Sequence, residues 1–147
     1  MSLSQLLNQG RLRRHRTSKS EIAELFQLIK RDIQDSKVKG LSSDRRFATA
    51  YNAVLQLATI FIYCKGYRTD GIGHHATVFK AMKELLEEKH HSLADYFDSC
   101  RAKRNITDYS HAGMVSEKEA EELIGEAEKF LQVTLKWLKT NHPNLIK

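Results

Sequence analysis

Apolar residues recur every three to four positions along most of this chain, and runs that alternate every second residue are missing. That periodicity predicts helices rather than strands. Five blocks carry it. Ile22, Leu25, Phe26, Ile29 and Ile33 form one stripe, with Thr17 or Ser18 placed to cap it and Glu21 three residues after Ser18. A second helix is expected after Ser42 and Ser43 and should stop at Gly66, a residue suited to a left-handed terminus. Its centre, FATAYNAVLQLATIFIYC, is apolar on most sides and reads as the buried central helix.

After the loop GYRTDGIG, a third helix is expected over about His74 to Lys89, with Phe79, Met82, Leu85 and Leu86 inward. Ser92 then reads as the cap of a fourth, and Ser116, with Glu119 at N3, as the cap of a fifth. The fifth should bury Ala120, Leu123, Ile124, Ala127, Phe130, Leu131, Leu135 and Leu138 and end before Pro143, the only proline. Short connections between long helices predict an all-α fold, an antiparallel up-and-down bundle of four to five helices. Its expected limits are a basic N-terminal arm over 1–16, the bundle over 17–141 and a short tail over 142–147. A Leu3, Leu6, Leu7 patch at the start is placed to pack on the body or on a partner.

Composition refines this. A chain of 147 residues, 41% hydrophobic and 29% charged, suits one globular domain with its own core. The sequence predicts neither a secretory leader nor a membrane span. Cys64 and Cys100 fall in apolar helical patterns, which predicts reduced core thiols of a cytoplasmic protein. The net charge of +6 is uneven: Arg11, Arg13, Arg14, Arg16 and Lys19 stand without an acid in the first twenty residues. The other 127 residues hold 19 bases and 18 acids. Such a segment either tracks phosphates or is a solvated tail.

The fourth helix breaks the pattern. With Leu93 at zero and about 100° per residue, Phe97 falls near about 40°, Cys100 about 340° and Tyr96 about 300°. The same stripe then meets Arg104 at about 20°, Asp108 at about 60°, His111 at about 0° and Arg101 at about 80°. Ala102, Ile106 and Tyr109 gather on the other side. Either burial rotates, so that Ile106 and Tyr109 face the core and the charges face water, or the charges converge on a partner or a phosphate. Arginine suits the second role because its planar fork grips phosphate with two hydrogen bonds and stays charged. An acid four residues away would orient it, and a nearby histidine would move protons near neutral pH.

At these residues the chain resembles the HEPN superfamily over about Ser18 to Leu138. LSSDRRFATAYNAVLQLATIFIYCKGYRT looks like its second helix, GHHATVFKAMKELL like its third, and LADYFDSCRAKRNITDY like the helix carrying its Arg-polar-His motif. The resemblance implies a helical bundle, commonly a homodimer, with Arg and His of both protomers meeting at a cleft. In active members that cleft cuts RNA without a metal: His activates the ribose 2′-hydroxyl and Arg steadies the scissile phosphate. Such members act as toxins of toxin–antitoxin pairs, in defence or in RNA processing. Others are inactive partners of a small nucleotidyltransferase.

Carried over by residue, Arg104 matches the arginine and Asn105 the polar position after it. Tyr109 stands five residues after Arg104 and His111 seven after, and the helical wheel favours His111 for the histidine's place. Arg101, Asn105, Asp108 and Tyr109 become candidate binding residues beside Arg104 and His111, with Arg11, Arg13, Arg14 and Arg16 adding backbone contacts. Two readings stay open: an RNA-interacting protein, as a metal-independent endoribonuclease, or a non-catalytic module that binds its own copy or a nucleotidyltransferase. His74–His75 and His90–His91 bracket the third helix without zinc-type ligand spacing, so neither a metal nor a cofactor is expected.

Overall fold

The computed structural model describes residues 2–71, 73–109 and 112–147, with side chains omitted at 106–109. The protein is mostly helical (75%), with six helices packed together and a small two-stranded sheet. The elements are α1 (Leu3–Asn8), β1 (Leu12–Arg14), α2 (Lys19–Ser36), α3 (Ser43–Cys64), β2 (Tyr67–Thr69), α4 (His74–Leu85), α5 (His91–Tyr109) and α6 (Glu117–Asn141). Short 3-10 turns at Glu88–His90 and Pro143–Leu145 complete them.

Serine caps decide where most helices begin. The Ser18 hydroxyl accepts from the Glu21 amide at the start of α2, and Ser42 accepts from Arg45 at the start of α3. Ser116 and Glu119 form a reciprocal capping box on α6. Each satisfies amides that a helix end leaves without a partner and stabilises it by about 1 kcal/mol. At the far end of α3, Gly66 adopts φ +87°, a left-handed conformation that a side chain would strain. Its carbonyl then accepts from the His15 amide at 2.8 Å, which begins the pairing of β1 with β2.

The core is built on α3, which packs against α2, α4, α5 and α6. Ten of its residues are buried, from Phe47 to Ile62. By length and composition this 22-residue helix could cross a membrane, but 56% of its most apolar window is buried within the protein, as befits a core helix. Aromatic rings run through the interior in a chain. Trp137 lies 4.5 Å from Phe61, Phe61 stacks on Phe130 at 5.6 Å, and Phe130 meets Phe97 at 5.2 Å. Phe97 then meets Phe79 at 6.1 Å, and Phe79 meets Tyr51 at 6.2 Å. Four helices are thereby joined, and the chain of rings ends at the polar face described below.

Several expectations are corrected. Six helices replace four to five, and the fold includes a sheet, antiparallel with Leu12 opposite Thr69, Arg13 opposite Arg68 and Arg14 opposite Tyr67. Within the segment read as a basic arm, α1 carries its own Ser2–Gln5 capping box, and Leu6 and Leu12 are buried in the main core. Three-residue strands are too short to show a period of two, which hid them from the pattern. The third helix stops at Leu85 rather than Lys89. Glu84, Glu87 and Glu88 at that end oppose the helix dipole, and Leu86 turns extended. The chain re-enters helix through the 3-10 turn, so α5 starts at His91 and Ser92 lies inside it.

Candidate functional site

The first half of α5 is an ordinary core helix. Ala94, Phe97 and Cys100 are buried, and burial pushes the Cys100 thiol up to about 11, as it does Cys64. Both cysteines are free thiols that stay protonated near neutral pH. The same stripe continues into Arg101 and Arg104, and neither side chain goes fully to water. Ala102 and Asn105 are exposed instead. Burial has therefore not rotated away from the charged row across the described part of the helix.

The Arg104 guanidinium lies over the face of Tyr51, 5.4 Å from the ring centroid. A cation on an aromatic face gains about 0.5–2 kcal/mol, most when water is excluded. Tyr51 is wholly buried in α3 and also touches the rings of His75 and Phe79. Among the described residues its hydroxyl has no hydrogen-bond partner, and burial drives its pKa upward despite the nearby cations Arg104 and Arg101. Arg101 is held by Asp98, Nε to Oδ1 at 2.9 Å, leaving its side chain 26% exposed. The His75 imidazole is depressed by burial first, then by His74, Arg104 and Arg101, so it favours the neutral form.

Two clefts open beside these groups. The larger, about 590 Å³, is lined by Ser42, Asp44, Arg45, Thr49, Asn52, Arg104 and Ala112. Residues 45, 49 and 52 recur at helical spacing and present one polar face of α3. The smaller, about 220 Å³, lies between the start of α4 and α5 and takes Arg101, Asn105, His74 and His75 in its wall. Asp44 shapes the larger cleft. Its carboxylate accepts from the Gly113 amide at 2.6 Å and the Val115 amide at 3.1 Å, fixing the turn from α5 to α6 against the start of α3.

The structure thus brings Arg101, Arg104 and Asn105 to adjoining clefts. Asp108 and Tyr109 fall within α5, but their side chains and all of His111 lie outside the described residues. The N-terminal arginines are elsewhere, around the sheet. Arg11 donates from Nε to the Thr77 hydroxyl at 3.0 Å, Arg13 pairs with Asp70 at 2.9 Å, Arg14 lies over Tyr67, and Arg16 is exposed. Among the described residues, no group of three or more His, Cys, Asp and Glu gathers as metal ligands do.

Sequence reading missed Asp44, Arg45 and Asn52, which line the cleft with Arg104, and Tyr51, which lies beneath its guanidinium. Tyr51 was visible as a tyrosine in the alanine-rich start of α3, four residues after Phe47. Its pairing with a residue 53 positions later carried no local signal. Comparison of the chain with protein-family models, with curated proteins and with solved structures gives no match.

Proposed function

We propose that the protein is an antiparallel helical bundle of HEPN type that binds RNA on the Arg101–Arg104 face of α5, acts as a homodimer, and cuts RNA without a metal. Arg104 contacts the scissile phosphate, His111 moves the proton of the 2′-hydroxyl, and Arg101 and Asn105 hold flanking groups. Asp108 and Tyr109 belong to the same face in this reading. One observation carries it: Arg104 and Ala112, the residue that follows His111, line one cleft together with Arg45 and Asn52. A guanidinium placed over the Tyr51 ring at the cleft wall is restrained before a phosphate arrives, which reduces the ordering cost of gripping it.

The chemistry asks little more of the chain. An imidazole near neutral pH takes the 2′-hydroxyl proton, and the 2′-oxygen attacks phosphorus. The P–O5′ bond breaks to leave a 2′,3′-cyclic phosphate and a 5′-hydroxyl, the leaving oxygen taking its proton from the imidazolium or from water. The guanidinium neutralises the charge that builds on the phosphate oxygens. Incubation with mixed RNA in EDTA tests the assignment: wild type should cut, and Arg104→Ala should lose at least a hundredfold in rate. Cutting by Arg104→Ala at the wild-type rate removes the assignment.

A second reading has its own support. Arg101 is already engaged by Asp98 and Arg104 by the Tyr51 ring, as in a face built for packing. In that case the protein is a non-catalytic module whose charged face binds its own copy or a nucleotidyltransferase. It predicts that His111→Ala is silent and that Arg101→Ala with Arg104→Ala abolishes association, measured by sedimentation.

A further inference from the structure

A third cleft, about 340 Å³, opens between α3, β2 and the first turn of α4, walled by Tyr63, Arg68, Thr69, Asp70, His74 and His75. Its volume lies in the range of small-ligand sites, about 300–1,000 Å³. It is not isolated. His74 and His75 also line the Arg101–Asn105 cleft, so the histidine pair stands between two lobes of one surface.

The charges here are arranged against the fold's own interest. Arg13 and Arg68 are directly opposed across β1 and β2 and so project to the same side of the ribbon. Like charges in that position destabilise a sheet. Arg13 is relieved by Asp70. Arg68 is exposed and makes no hydrogen bond or ion pair among the described residues. Glu21, the acid that feels it, is already held by His15 at 2.7 Å and Thr17 at 2.7 Å. A cation left over in an opposed pair, at the mouth of a cleft, suits an incoming anion. Tyr63 gives that cleft a half-buried aromatic wall, steadied on one side by the His15 ring at 4.5 Å. Thr59 donates to the Leu55 carbonyl, which leaves its oxygen able to accept from a ligand hydroxyl.

We propose that this lobe is a second nucleotide subsite, in which Arg68 takes a phosphate and Tyr63 receives the sugar or base of the same nucleotide. A single strand of RNA would run from Arg104, over the His74–His75 ridge, to the ribbon. The inference rests on the RNA reading above and extends it to a strand of several nucleotides. An acidic peptide is the competing occupant. It would use Arg68 but have no need of an aromatic wall.

Fluorescence anisotropy with labelled hexauridylate tests the subsite, across a salt series, on wild type, Arg68→Ala, Tyr63→Leu, Arg104→Ala and Lys129→Ala. Lys129 is exposed on α6 and serves as the control, and circular dichroism confirms that each variant is folded. Arg68→Ala should weaken binding about tenfold and lower the salt slope by about one. Tyr63→Leu should weaken it without changing the slope, and Lys129→Ala should match wild type. If Arg104→Ala weakens binding while Arg68→Ala and Tyr63→Leu do not, the subsite is refuted and the RNA reading stands. If Arg68→Ala and Tyr63→Leu weaken binding but Arg104→Ala does not, the subsite stands and the Arg104 assignment falls. Displacement of the RNA by hexaglutamate at the same concentration as unlabelled hexauridylate, or no binding by wild type, overturns the proposal.

Discussion

α5 and α6 both pack against α3, yet they are built on different plans. α6 buries Ala120, Leu123, Ile124, Ala127, Phe130, Thr134 and Leu138 along its length, begins with a capping box and places Lys139 in its last turn. Its start, its last turn and its buried stripe agree with the tertiary contact, which is how a sequence specifies one position for a helix. α5 has neither an acid in its first turn nor a base in its last, and its apolar stripe ends at Cys100. Beyond that point, among the described residues, the stripe continues as arginines, one on an aromatic ring and one on a carboxylate. Where a stripe stays apolar, burial runs the length of the helix. Where it turns cationic, the helix is anchored at one end and offers a surface at the other.

The sharpest break in that comparison is a deletion at each anchor. Phe130→Ala and Phe97→Ala remove neighbouring rings of the same core and should each cost about 3–5 kcal/mol in denaturant unfolding. A loss below about 1 kcal/mol at Phe97 would mean that the first half of α5 is not anchored as described.

Tyr51 separates packing from function on the second half. Its hydroxyl is buried without a partner among the described residues, a condition that costs about 1–3 kcal/mol. Tyr51→Phe keeps the ring under Arg104 and should raise stability by about 1 kcal/mol. Tyr51→Leu, which removes the ring, should weaken RNA binding. Equal loss of stability in both variants would show that the hydroxyl has a partner after all.

The smallest effect is one of pH. His75 has its pKa lowered by burial and by His74, Arg104 and Arg101, so the folded state binds fewer protons than the unfolded one as pH falls below 6.5. Stability from this source is complete at neutral pH and is lost as pH drops through 6.5 toward the folded value. His90 and His142, lowered by burial as well, act in the same sense. In thermal melts from pH 7.5 to 5, His75→Gln should therefore show a shallower fall than wild type. An identical slope would place His75 in bulk solvent.

Much of the helical frame was legible before any coordinates. Ser18, Ser42 and Ser116 announced three helix starts, Gly66 a stop, and the stripes of α2 and α6 their buried faces. These are local signals, each read within a few residues. The sheet escaped because Leu12–Arg14 and Tyr67–Thr69 are defined by their pairing across more than fifty positions, not by their own composition. The site was half legible for the same reason. The wheel put Arg101 and Arg104 on one row of α5, but only the tertiary structure supplies Tyr51 beneath one and Asp44 holding the turn beyond. The reach of Arg11 to Thr77 was equally hidden.

Whether the cationic half of α5 contacts a polyphosphate strand is asked most directly by equilibrium binding of a short single-stranded RNA measured against salt. Wild type should lose affinity steeply with rising salt, and Arg104→Ala should bind about tenfold more weakly with a slope smaller by about one phosphate contact. Identical affinity and slope for the two proteins would contradict the account.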